Sequence, residues 1–275
     1  MTRILILTLL LVMPSAAMAA ECPRTISIGG AVTEIVYKLG KEDCLVGADT
    51  TSTYPEAATE LPMIGYQRML SAEGILSLKP ELIIHTEQAG PPAVIEQIDQ
   101  AGIKRIEIED QPSLEAVFHK IEAVSKAFDV EDDGQALIED MKAQKEQLGV
   151  ADTDKPKVLF VMQHGPSAPM VGGKNTAADA IIALAGGENV VEFDLYKPLT
   201  PEALATLNPD FIVTTDESMK QMGGMEGLIQ MPGVALTNAA KNNNIVAMDA
   251  LLILGFGPRT IEAAQELSKS FANGA

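Results

Sequence analysis

The sequence predicts an α/β protein of two similar lobes, each with a central parallel sheet, joined by a long helical connector. Three observations lead there. The first is an internal repeat, in which Ser71-Ala-Glu-Gly-Ile-Leu-Ser-Leu-Lys-Pro80-Glu-Leu-Ile-Ile-His-Thr86 matches Thr200-Pro-Glu-Ala-Leu-Ala-Thr-Leu-Asn-Pro209-Asp-Phe-Ile-Val-Thr-Thr215. Each copy opens with a hydroxyl residue suited to cap a helix and an acid where the helix dipole favours one. Each then has a proline that stops the helix and an apolar run of buried-strand type. The second observation is a weaker echo. Gly29-Gly30 leads to Thr33 and an apolar-periodic stretch ending at Gly40, as Gly172-Gly173 leads to Thr176 and one ending at Gly186. The third is the segment from Ser113 to Gly149, rich in Ala, Glu, Lys, Gln and Leu, in which Leu114, Val117, Ile121, Val124 and Phe128 recur at helical spacing. Asp132-Asp133-Gly134 interrupts that pattern, so the connector is either two helices or one with a kink.

The elements divide as a leader over residues 1–20, a first lobe over 21–112, a connector over 113–155 and a second lobe over 156–275. Arg3, the apolar run Ile4 to Met13 and the small residues up to Ala20, with Ala17-Met18-Ala19 as a cleavage box, read as a secretory signal peptide. Cys22 raises the alternative of a lipoprotein, but Glu21 stands where a lipidation signal takes a small residue. No later segment is apolar for long enough to cross a bilayer, so a soluble, monomeric, exported protein is expected.

Removing the leader takes away Arg3 and no acid, which moves the formal charge from −18 to −19. So acidic a surface repels nucleic acid and anionic membranes. Export places Cys22 and Cys44 in an oxidising compartment. They stand just before the apolar runs Thr25 to Ile28 and Leu45 to Val46, and lie side by side if those runs are adjacent parallel strands. A disulfide there contributes about 3 kcal/mol on the chain-entropy account.

Enzyme motifs are missing. There is no His-Glu-x-x-His, no Gly-x-Ser-x-Gly and no phosphate-binding loop, since Gly173-Lys174-Asn175 lacks both the upstream Gly and the Ser or Thr. Gly255-Phe256-Gly257 does not extend to a dinucleotide fingerprint. The three histidines, His85, His119 and His164, are scattered and fit a divalent-metal centre poorly. His85 ends a predicted strand, His119 occupies a polar connector position, and His164 follows the strand Val158 to Met162.

Together these features resemble the periplasmic binding proteins whose two α/β lobes are joined by a rigid helix, the class that serves importers of cobalamin, siderophores and haem. Within it, Pro62-Met-Ile-Gly-Tyr66-Gln-Arg68-Met-Leu-Ser-Ala-Glu-Gly-Ile-Leu is similar to the Gly-Tyr-x-Arg-x-Leu-Ser-x-Glu-Gly signature of the haem carriers. Thr176-Ala-Ala-Asp-Ala-Ile-Ile and Gly223-Gly-Met-Glu-Gly-Leu are similar to the same subgroup. The resemblance implies haem as the transported ligand, Tyr66 as its iron ligand and a cleft between the lobes; a siderophore or cobalamin carrier is the alternative on the same scaffold. Ferric iron favours a hard anionic ligand, and phenolate is one. His164, on the opposite lobe, is expected as a second iron ligand or as a hydrogen-bond donor to the far face of the haem. Arg68 either stabilises the Tyr66 phenolate or binds a propionate, and Arg259 and Lys174 are further candidate contacts to the haem or its propionates. The resemblance also implies docking to a dimeric inner-membrane ABC permease with its ATPase through one glutamate per lobe. Glu73 and Glu202, equivalent in the repeat, fit that role.

Overall fold

Short apolar runs buried on both faces become the strands, as a sheet covered by helices on each side requires. The computed structural model describes residues 22–149, 155–163, 165 and 169–274; the leader over 1–20 and His164 lie outside the described residues. The chain opens with β1 (Thr25–Ile28), α1 (Gly30–Lys38), β2 (Leu45–Ala48) and a small hairpin of β3 (Gly65–Tyr66) and β4 (Met69–Leu70). It continues with α2 (Ala72–Ser77), β5 (Leu82–Thr86), α3 (Pro92–Gln100) and β6 (Lys104–Ile108). These strands form a parallel sheet in the order β2-β1-β5-β6, with the hairpin apart from it. The connector is α4 (Leu114–Ala127) and α5 (Glu131–Glu146).

The second half holds β7 (Lys157–Met162), β8 (Met170–Gly172), α6 (Ala177–Leu184), β9 (Glu188–Asn189), β10 (Tyr196–Pro198) and α7 (Pro201–Leu207). It ends with β11 (Phe211–Thr215), α8 (Asp216–Gln221), α9 (Gly224–Gln230), α10 (Asn238–Lys241), β12 (Ile245–Met248), α11 (Ala250–Leu254) and α12 (Thr260–Asn273). Its sheet runs β10-β8-β7-β11-β12, with β9 on β7. Strands β7, β9, β11 and β12 are parallel, whereas β8 turns back antiparallel to β7 and β10 to β8. The second lobe therefore has the expected parallel strands at its centre, extended on one side by the antiparallel β8 and by β10.

Side-chain alternation along the strands builds three apolar clusters. Ile26, Ile28 and Ile83 point to one face of the first sheet, under α2 and α3, and Leu159, Val161 and Ile212 do the same in the second. The opposite faces, with Leu82, Ile84, Val158, Phe160 and Val213, join one continuous cluster with Val32 and Ile35 of α1, Ile121 of α4, Ile138 of α5 and Leu267 of α12. The two sheets thus share a core, which binds the halves into one body.

Both repeat helices are capped as expected: Ser71 accepts from the Gly74 amide at 3.4 Å and Thr200 from the Ala203 amide at 3.3 Å. The Gly-Gly echo holds less closely. Gly29 immediately precedes α1 and leaves Thr33 inside the helix, while Thr176 itself caps α6. The connector is two helices, and the break falls at 128–130, ahead of the acidic cluster. There Asp129 takes a positive φ of 54°, and Asp132 and Asp133 occupy the first turn of α5, where the dipole favours them. Helix α4 packs on α1 and β6, and α5 reaches α12. Parallel pairing of β1 with β2 brings Cys22 and Cys44 together, with Cα atoms 5.6 Å apart and a bond between the sulfurs.

Candidate ligand cleft

Ligands of open parallel sheets bind beyond the carboxyl ends of the strands, and here the two carboxyl edges meet. Gly30, just after β1, lies so close to α11 that a Cβ on it would come within 2.6 Å of a Leu251 methyl. Asp49, fully buried after β2, accepts from the Gly29 amide at 2.7 Å and fixes the turn into α1. Beside this contact Arg259 donates to both carboxylate oxygens of Glu34, at 2.9 and 3.1 Å, and its guanidinium lies 3.5 Å from the centroid of the Tyr54 ring. Burial lifts the Glu34 pKa above its usual range even though Arg259 pulls it down. Burial also works against the Arg259 charge, and the Glu34 carboxylate more than offsets it. Each partner thus offsets part of the cost of burying the other, and either one alone would be costlier there.

Arg259, expected as a propionate contact, is engaged within the protein. With its side chain only 11 % exposed and its fork taken by Glu34, Arg259 ties α12 to α1. Lys174, also expected at a propionate, has an acid partner as well. Because β8 returns from the edge where Met162 and Met170 pair, Lys174 follows the end remote from that edge, with its ammonium 3.6 Å from Asp179.

Tyr66 lies on an exposed hairpin at the carboxyl edge of the first sheet. The hairpin that carries it is stitched between the loops after β2 and β5: the Thr50 amide donates to Gly65 O, the Gly90 amide to Gln67 O, and the Leu70 amide to Gly90 O, each at 2.9 Å. Gly65 has a φ of 99°, which a side chain would strain, and this turns the chain into the hairpin. Ile64 and Leu70 anchor it in the core, leaving the cross-strand pair Tyr66 and Met69 outside, at 40 % and 76 % exposure. Arg68, at the hairpin turn, donates through Nη2 to the Gln88 side chain, and no carboxylate pairs with it among the described residues.

His85 does not face this edge. It is 1 % exposed, with Nδ1 donating to Thr86 O at 2.8 Å and Nε2 accepting from Arg105 at 2.8 Å. His119 is exposed on α4, as its polar position suggested. His164 is outside the described residues; its neighbours Gln163 and Gly165 are tied to α8 by bonds to Ser218 and Gln221. Glu73 and Glu202 are exposed in the first turns of α2 and α7, which start on the carboxyl side of their sheets. A groove of about 380 Å³ on the flank of α7, lined by Val190, Phe193, Leu199 and Leu207, has Glu202 at its rim.

Sequence reasoning passed over Gln88, Asp110 and Lys120, which stand behind Arg68. A signal existed: Lys120 falls three residues after Val117 and four before Val124, on the apolar stripe of α4, and it is fully buried.

Two α/β halves on a shared core, with their carboxyl edges facing each other, have the architecture of a two-lobed binding protein. The chain belongs to the periplasmic binding protein family, whose model matches residues 26–252. It is similar to the periplasmic haem-binding protein RhuT of Roseiflexus sp. RS-1, in apo form, with 40 % identity and a TM-score of 0.88 over 92 % of this chain and 99 % of that one. The periplasmic haem-binding protein BhuT in complex with two haems matches at 41 % identity and a TM-score of 0.86, over the same shares. The vitamin B12-binding protein of Vibrio vulnificus is 28 % identical over 269 residues, 97 % of this chain and 96 % of that protein.

Proposed function

We propose that this protein captures haem between its lobes, with Tyr66 as the ligand to ferric iron, and delivers it to an ABC permease in the inner membrane. The observation that carries this reading is Tyr66 itself, an exposed phenol on a hairpin pinned at the carboxyl edge of the first sheet. Its phenolate is the hard donor that ferric iron prefers, and the likeness to haem-binding proteins at 40 % and 41 % identity supports the same ligand. Cobalamin is the second reading, favoured by the B12-binding relative at lower identity. Arg68 is the propionate contact that stays available, and His164 is proposed as the second ligand on sequence grounds. Glu73 and Glu202 are proposed as the permease contacts, and residues 1–20 as the export signal.

Titration of the purified protein with haemin, and separately with cobalamin, tests the reading. A Soret band with tyrosinate-to-iron charge-transfer absorption is expected with haemin, and Tyr66→Phe should abolish the charge-transfer band and weaken retention by about a hundredfold, or about 2.7 kcal/mol. His164→Ala should change stoichiometry or spectrum less severely. Saturable cobalamin binding with no haemin spectrum would replace haem by cobalamin.

A further inference from the structure

Behind Arg68 runs a chain of side chains that ends inside the connector. Arg68 donates to Oε1 of Gln88, and Gln88 donates through Nε2 to Oδ2 of Asp110 at 2.9 Å. The other carboxylate oxygen of Asp110 accepts from the ammonium of Lys120, a fully buried residue of α4. Burying an ammonium is costly unless it is paired, and Asp110 supplies the pairing.

The order of charges along this chain matters. Lys120 and Asp110 cancel, and Gln88 is neutral, so Arg68 is held without being neutralised. A carboxylate in place of Gln88 would fix the guanidinium equally well and offset the charge that an anionic ligand needs. The same loop is fastened independently, since the Glu87 amide donates to Ile108 O and the Asp110 amide to Glu87 Oε1. Gln88 therefore sits on a rigid base, and its amide polarity is set by the acid on one side and the guanidinium on the other.

We propose that Lys120, Asp110 and Gln88 are positioning residues for the ligand site, a relay that holds Arg68 beside Tyr66 with its charge free for a carboxylate of the ligand. The proposal rests on the haem reading above and adds that the connector helps to set the grip. A flexible arginine that is already ordered loses less freedom on binding, so the relay strengthens capture without touching the ligand.

The test is a double-mutant cycle with haemin as the probe. Gln88→Leu cuts the relay at a half-buried loop residue outside the apolar clusters. It should weaken haemin binding about tenfold and shift the tyrosinate charge-transfer band, with the apo melting temperature close to wild type. In an Arg68→Ala background the same change should have no further effect, because its influence passes through Arg68. Lys120→Met should reproduce the affinity loss where it folds; Gln88→Leu decides the matter if it does not. Wild-type affinity in Gln88→Leu, or an equal loss with and without Arg68, would overturn the relay alone. A wild-type protein that forms no haemin complex would overturn the haem reading and the relay with it.

Discussion

Tyr66 and His85 lie on the same lobe in opposite surroundings. The phenol stands in the open beside Met69, free to meet a ligand, whereas the imidazole is sealed between Thr86 and Arg105. Burial lowers the His85 pKa below its ordinary value of 6.5, and Arg105 acts in the same direction against the Thr86 carbonyl. The unfolded chain therefore binds a proton that the folded one refuses, and stability is fully present above pH 6.5 and lost as pH falls toward the folded value. The loss amounts to at most about 1.4 kcal/mol per pH unit within that window. Denaturant unfolding at pH 7.5 and 5.0 should show a shallower decline in His85→Gln than in wild type. Equal declines would mean that His85 does not titrate in this range.

Among the elements, the hairpin of β3 and β4 and the disulfide occupy opposite ends of the first sheet. Cys22 and Cys44 precede β1 and β2 at the amino edge, while the hairpin is tied to the loops after β2 and β5 at the carboxyl edge. A bridge across 22 residues restricts the unfolded chain and should contribute about 3 kcal/mol. Replacing both cysteines by alanine should lower the denaturant midpoint accordingly and leave the haemin spectrum unchanged, because no hydrogen bond of the hairpin runs through that edge. A variant whose spectrum changed along with its midpoint would show that the two edges are coupled.

On the scale of the whole molecule, the shared core and the pair of Arg259 with Glu34 make the halves a single frame. The frame presents Glu73 and Glu202 at equivalent turns of the two halves, and a dimeric permease has a matching twofold. Exposed charges of this kind steer encounter and fix orientation more than they add affinity. Glu73→Ala with Glu202→Ala should leave haemin binding intact and slow haem uptake severalfold, with each single variant intermediate. Uptake at the wild-type rate across a range of salt concentrations would reduce both acids to helix-start residues.

The sequence by itself determined the elements and the class of protein. Periodicity, prolines and capping hydroxyls are local, so the repeat helices, their strands and the cysteine pairing were legible, and the motif around Tyr66 pointed to the ligand. The tertiary structure alone decided which charges are free. Arg68, Lys174 and Arg259 look alike along the chain. Folding brings Arg259 from residue 259 onto Glu34 and turns β8 so that Lys174 is carried from the carboxyl edge, and it leaves only Arg68 of the three beside Tyr66. Pairing and strand direction are long-range facts: an ion pair depends on which segments meet, and no local pattern in a sequence records that meeting.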